Sequence, residues 1–294
     1  KHRIDTRKVV DDRLFARRVY LDVIGLLPSP GELAEFVNDP RPDKRERLVR
    51  KLLLDNRRYA EHWMTFWNDL LRNENRGTGF IDGGREQISQ WLYRSLEENK
   101  PYDVMVAELI DPVSGSEGFI KGIIWRGVVN ASQTPPMQAA QNLSQAFMGI
   151  NLKCASCHDS FINNWKLKDA YGLAGVFSEK PLEMVRCDVP QGVTAPVKFL
   201  YPELGEIDPS ASLAERRKRL AYLLTRKENG RFPRTFVNRL WAQFFGRGIV
   251  EPVDDMDAPP WNAELLEWLA YDFAKNDFDI QRAIRLILSS AAYQ

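Results

Sequence analysis

The chain has 294 residues, enough for two ordinary domains or one large one. Hydrophobic residues make up 44% and charged residues 28%, the balance of a globular chain with a real core. Its 41 Lys and Arg nearly cancel its 40 Asp and Glu, which argues against a global field toward nucleic acid or anionic lipid, and no apolar run reaches the roughly 18 residues of a spanning helix.

Helical periodicity dominates. Val10 and Leu14, with Phe15, Val19 and Val23, repeat at i, i+4, and the helix is expected to stop near Gly25 before Pro28. Ser29-Pro30-Gly31-Glu32 reads as a capping box with proline at the first helical position, burying Leu33, Phe36 and Val37. Asp43 is expected to cap the next helix, which turns Leu48, Leu52 and Leu53 inward. Tyr59, Trp63, Phe66, Trp67, Leu70 and Leu71 form an aromatic helical stripe, and residues 73–84, rich in Gly and Asn, read as a loop. Ile88, Trp91, Leu92 and Leu96 resume the helical pattern, and Pro101 opens another short helix. Residues 119–129 are ambiguous and admit a strand.

Pro135-Pro136 leads into a helix carrying Ala140, Leu143, Phe147 and Met148, and a further helix is expected over residues 169–177. Residues 179–209 hold many prolines and little periodicity, so they read as a long irregular connection with one short strand at 197–201. Beyond it, Ser212-Leu213-Ala214-Glu215 is a second capping box, and the apolar face of Phe236, Val237, Leu240, Trp241, Phe244 and Phe245 ends at Gly246. Asn262 and Asp279 cap the last two helices. The expected fold is mainly α with few or no strands: a helical domain over 1–178, a connection over 179–209 and a smaller helical segment over 210–294.

The chemistry centres on Cys154-Ala155-Ser156-Cys157-His158. Two thiols three positions apart on a turn can each add to one vinyl group of the same porphyrin, and the adjacent histidine then sits under the iron. With three Cys and three His in the chain, such a CxxCH arises by chance at a rate of only about 3 in 10,000. The expected cofactor is one covalent haem c per chain, which places assembly in the periplasm or at the cell surface. Two other readings stay open. A zinc site needs about four ligands, with only Cys187 and distant histidines left to help; a thioredoxin-like dithiol is expected beside a βαβ unit, for which no pattern is present. The third cysteine, Cys187, is left alone.

His158 is the expected proximal ligand. The sixth position is open among His62, Met137 and Met184, or stays vacant, which would favour catalysis over electron transfer. Phe161 and Trp165 are candidate walls of the porphyrin, with Tyr171 and Phe177 behind them, and Trp165, Asn163 and Lys166 offer donors for propionates. Core packing is the competing role for these aromatics. Whether the chain is an enzyme is not decided by these residues. No charged-then-apolar leader starts at Lys1, so an export signal is expected to have been removed or to lie outside this sequence.

Several segments resemble the planctomycete-type surface cytochrome proteins. They are Arg18-Val19-Tyr20-Leu21-Asp22-Val23-Ile24-Gly25-Leu26-Leu27-Pro28, Asp43-Lys44-Arg45-Glu46-Arg47-Leu48, Arg58-Tyr59-Ala60-Glu61-His62-Trp63 and Gln145-Ala146-Phe147-Met148-Gly149-Ile150 running into the CxxCH. Val237-Asn238-Arg239-Leu240-Trp241-Ala242-Gln243-Phe244-Phe245-Gly246 with Pro252-Val253-Asp254-Asp255, and Ile284-Arg285-Leu286-Ile287-Leu288, are similar to a second conserved region of the same proteins. The resemblance implies paired N- and C-terminal domains of unknown function in exported proteins of polysaccharide-degrading bacteria. It carries haem attachment onto Cys154, Cys157 and His158. It implies a redox partner, with a sugar dehydrogenase as one possibility, in place of nucleic acid or a membrane. The chain departs from the pattern at Ser160 and Phe66, where the family commonly has histidines, and in its short 179–209 segment. The expected function is mono-haem electron transfer linked to sugar metabolism. The alternatives are a haem enzyme with an open sixth position and a non-haem structural or carbohydrate-binding module.

Overall fold

The computed structural model describes residues 9–73, 81–83, 86–126 and 129–294, with backbone alone for 81–83. Among the described residues there are twelve α-helices and two small two-stranded antiparallel ribbons, so the chain is mainly helical.

Local signals set the first helices. In α1 (Asp12–Ile24) the Asp11 carboxylate accepts the Leu14 N–H at 2.8 Å, and Gly25 at φ 70° ends the helix. The capping box of α2 (Pro30–Asn38) forms between Ser29 and Glu32. Asp43 stands at the start of α3 (Lys44–Leu53) but its side chain makes no capping bond, contrary to expectation. The aromatic stripe is α4 (Asn56–Leu71), which packs on α1 and on α5 (Ser89–Glu97).

β1 (Ile81–Gly83) pairs with β2 (Ile124–Trp125). The expected loop over 73–84 is therefore broken by a strand at its end, while 74–80 and 84 lie outside the described residues; the strand allowed over 119–129 is β2. α6 (Tyr102–Ile110) packs against α9 (Leu213–Thr225). α7 (Pro135–Met148) packs against α8 (Leu167–Ala174) and α10 (Arg231–Phe245), and α11 (Ala263–Lys275) and α12 (Ile280–Leu288) close the chain.

The core is aromatic where the two ends of the chain meet. Fully buried Tyr102 of α6 stacks on Phe232 (centroids 4.5 Å apart) and Phe236 (4.2 Å) of α10. Trp67 of α4 stacks on the same Phe236 at 5.7 Å, and Trp63 meets Phe244 edge-on at 6.0 Å. Such pairs contribute about 0.5–1.5 kcal/mol each beyond the burial of their area. One continuous core thus contains residues from both sides of the 179–209 segment.

That segment is more ordered than its composition suggests. β3 (Glu183–Arg186) and β4 (Val189–Thr194) form a hairpin through Cys187 and Asp188. The strand expected at 197–201 is absent: this stretch runs extended beneath α8, with the Lys198 N–H donating to the Gly172 carbonyl at 3.1 Å and Phe199 and Leu200 buried. Buried Arg216 of α9 then donates to the carbonyls of Gly175 at 2.5 Å and Ser178 at 2.8 Å, tying the C-terminal helices to the end of α8.

Candidate functional site

The CxxCH follows directly from the end of α7. Gly149, at φ 58°, reverses the chain, and its carbonyl accepts the Met256 N–H at 2.8 Å. Residues 153–157 then form one tight turn in which the N–H groups of Cys157 and His158 both donate to the Cys154 carbonyl at 3.1 Å. The inner side of the turn is locked. Leu152, Ala155 and Ser156 are buried, the Ser156 hydroxyl donates to the Lys153 carbonyl at 2.7 Å, and Gln141 of α7 donates to that hydroxyl at 2.8 Å. Cys154, Cys157 and His158 are half-buried, on the side of the turn that reaches solvent.

His158 is oriented by its own chain. Its Nδ1 lies 2.7 Å from the Asp159 carbonyl oxygen. A carbonyl can only accept, so Nδ1 is the donor, and in the neutral imidazole Nε2 keeps its lone pair. The exposed Phe161 ring covers the imidazole with centroids 4.6 Å apart. Asp159 is fixed in turn, because its carboxylate accepts the Leu167 N–H at the start of α8 at 2.9 Å.

Cys187 is not alone. Its backbone N–H donates to the Cys157 carbonyl at 3.0 Å. Burial raises the Cys157 thiol above its ordinary range and the Cys187 side chain is among the groups that add to the rise, against the lowering effect of the Cys187 N–H. The hairpin is further pinned by Tyr171 of α8, whose hydroxyl accepts the Val185 N–H at 3.1 Å. Cys187 was missed as a site residue because it lies thirty positions from Cys157 and only the folded hairpin brings them together.

The other candidates are sorted by the fold. Met184, on β3, lines a hollow of about 480 Å³ with Asp159, Lys166, Leu167, Lys168 and Arg186, next to the motif. Met137 is buried in the core on α7. His62 sits on α4 at a different hollow of about 670 Å³, between α4, α7 and α10, together with Phe66, Arg72, Gln145, Arg239 and Asp254. Cys154, Cys157 and His158 line neither hollow; Asp159, the residue after His158, lines the one that holds Met184. Trp165 and Asn163 are already engaged, Trp165 Nε1 donating to Asp257 at 2.9 Å and Asn163 to the Asn151 carbonyl at 3.1 Å. Of the expected propionate donors, Lys166 lies at the hollow, with its ammonium 3.9 Å from the Asp159 carboxylate, joined by Lys168 and Arg186. Tyr171 is core.

The donor set fits a c-type haem in its chemistry. Two accessible thiols and an imidazole with a free Nε2 stand on one turn, and a neighbouring hollow combines a thioether with three cations suited to carboxylates. Phe161 is 87% exposed, so its ring can leave the imidazole without opening the core. Among the described residues no group of three or more His, Cys, Asp or Glu is arranged to hold a metal ion. No helix among them is long and apolar enough to cross a membrane.

Comparison with known proteins places the chain. The family PSCyt2, described as a protein of unknown function (DUF1549), matches residues 1–181, and PSD1, a protein of unknown function (DUF1553), matches residues 216–294. Neither the curated proteins nor the solved structures give a match. The first match covers more than half of the 294 residues, so the chain belongs to the PSCyt2 family and carries a PSD1 region behind it, the domain pair associated with planctomycete cytochrome-related proteins.

Proposed function

We propose that this protein is an exported c-type cytochrome-like electron carrier with one haem on Cys154 and Cys157, ligated by His158. The observation that carries the reading is the orientation of His158: its Nδ1 is bonded to the Asp159 carbonyl, so in the neutral imidazole Nε2 is the nitrogen left for iron. The haem would supply the one-electron Fe(II)/Fe(III) couple, and the chain's own residues supply the rest. The locked turn holds the two thiols, Asp159 orients the imidazole, and Lys166, Lys168 and Arg186 offer charge partners for propionates. Met184 is the candidate sixth ligand, since it alone of His62, Met137 and Met184 lines the hollow that also contains Asp159.

Electron transfer requires an edge that a partner can approach. Phe161 (87% exposed) and Ile162 (71%) place an apolar patch beside the motif, and the near-zero net charge leaves docking to such local contacts. The family's setting points to a sugar-oxidising dehydrogenase as the donor, and to the periplasm or cell surface as the compartment. The test is the mass and pyridine haemochrome spectrum of protein exported from a host that matures cytochromes c. One haem per chain is expected, lost in Cys154→Ala/Cys157→Ala. A colourless wild type from such a host overturns the reading and leaves a non-haem helical module.

A further inference from the structure

Cys187 has no part in a CxxCH, yet the hairpin delivers it to that motif. The turn Cys187-Asp188 is built from two non-glycine residues at φ 47° and 65°, the left-handed conformation that two-residue hairpins demand and that Asn and Gly normally supply. The register Arg186↔Val189 fixes the turn at these two residues, and Tyr171 pins the strand that leads into it. The Cys187 N–H to Cys157 carbonyl bond, at 3.0 Å, sets the two residues side by side, the proximity a disulfide needs, since its Cα atoms must come within about 4.4–6.8 Å.

We infer that Cys157 and Cys187 form a disulfide in the haem-free protein, making the hairpin a redox latch on the motif. The exposures set the order of events: Cys187 is exposed and Cys157 half-buried. A disulfide of low molecular weight, or that of a dithiol oxidase, is attacked first by the Cys187 sulfur. One external thiol leaves and a mixed disulfide forms on Cys187. The Cys157 sulfur then attacks the Cys187 side of that mixed disulfide, forming the internal bond and expelling the second external thiol. Two electrons pass from the two cysteines to the external disulfide, and the two thiol protons end on the two released thiols. Cys154 stays a free thiol. A sulfur held in this bond cannot add to a vinyl group, so the latch must be reduced before a haem is attached through both cysteines. That consequence rests on the haem reading; the bond itself does not.

The experiment uses the full chain exported without haem attachment, reduced, then exposed to oxidised glutathione. Free thiols are alkylated, and the protein is digested under non-reducing conditions for mass spectrometry. Expected is a single cross-link between the peptides of Cys157 and Cys187, an alkylated Cys154, and an intact mass about 2 Da below the fully reduced chain. Cys154→Ser should show the same link and the same mass loss. A Cys154–Cys157 link in the wild type, three alkylated cysteines, or a Cys154→Ser chain that loses no mass overturns the inference. Because no haem is present in any sample, these outcomes are independent of whether the protein is a cytochrome.

Discussion

The Tyr293 hydroxyl donates to Asp22 Oδ2 at 2.5 Å, joining the last turn of the chain to α1 in a bond that crosses from the PSD1 region to the PSCyt2 region. Arg18 reinforces the contact, donating to the Tyr293 carbonyl at 2.9 Å with its guanidinium 4.3 Å from the ring centroid. Burial raises the Asp22 carboxyl above its ordinary 3.8, although Tyr293 and Arg18 pull the other way. A carboxyl raised by folding contributes stability at low pH that is lost as pH rises through its folded value. Tyr293→Phe removes the donor and leaves a buried carboxylate short of a partner. It should cost about 1–3 kcal/mol near neutral pH, read as a lower urea midpoint, with a smaller deficit in acid where Asp22 is protonated. Equal deficits at both pH values would show that the hydroxyl does not serve Asp22.

His62 faces the same acidic group from α4 and titrates in the opposite sense. Burial depresses its imidazole below 6.5, against the raising influence of the Asp22 backbone carbonyl, which accepts from the ring, and of the Asp22 charge. A histidine depressed by folding contributes stability above its unfolded value that is lost as pH falls through the folded one. The wild type should therefore lose stability as pH falls below about 6.5, partly offset by Asp22, and His62→Gln should flatten that slope. Urea midpoints across this range decide it; an unchanged slope in the variant means that another group titrates there.

Much of the fold was legible because its signals are local. The Ser29 and Ser212 capping boxes, the Gly25 stop and the Tyr59-to-Leu71 aromatic stripe each act within a few residues, and each appears where the sequence puts it. The β3–β4 hairpin was not legible. Its turn lacks the usual Asn-Gly, and every side chain of β4 is exposed, so no apolar alternation marks the strand. Residues 197–201 misled in the other direction, because Phe199 and Leu200 are buried by packing under α8 and not by a ladder. At the site, the CxxCH could be read directly. Residue type alone made His62, Met137 and Met184 equivalent ligands and left Cys187 unassigned; those distinctions depend on tertiary position.

Gly149 tests how tightly the end of α7 is held against the C-terminal region. Its φ of 58° is costly for any residue with a Cβ, and a methyl group there would overlap the Met256 side chain, whose N–H also donates to the Gly149 carbonyl. Gly149→Ala should destabilise by about 2–4 kcal/mol, combining backbone strain with overpacking. Adding Met256→Ala should relieve the overlap but not the strain, so the double variant should be more stable than the sum of the single changes indicates. Strict additivity in urea unfolding would mean that the two side chains never meet.

The sixth-ligand assignment can be separated from core packing by comparing the three candidates in haem-loaded protein. Met184 lines the hollow beside Asp159, on a ribbon whose strands are half-buried or exposed, so Met184→Ala should leave stability within about 1 kcal/mol of wild type. If its thioether holds the iron, the same change should convert a low-spin spectrum to a high-spin one and admit carbon monoxide. Met137 is 1% exposed in the core, and Met137→Ala should cost about 2–5 kcal/mol while leaving the spectrum of the folded fraction unchanged. His62→Gln, at the hollow between α4, α7 and α10, should also leave the spectrum unchanged. A Met184→Ala protein that keeps the wild-type spectrum removes Met184 from the iron, and a spectral change in either of the other two variants would place the haem against a different face of the molecule.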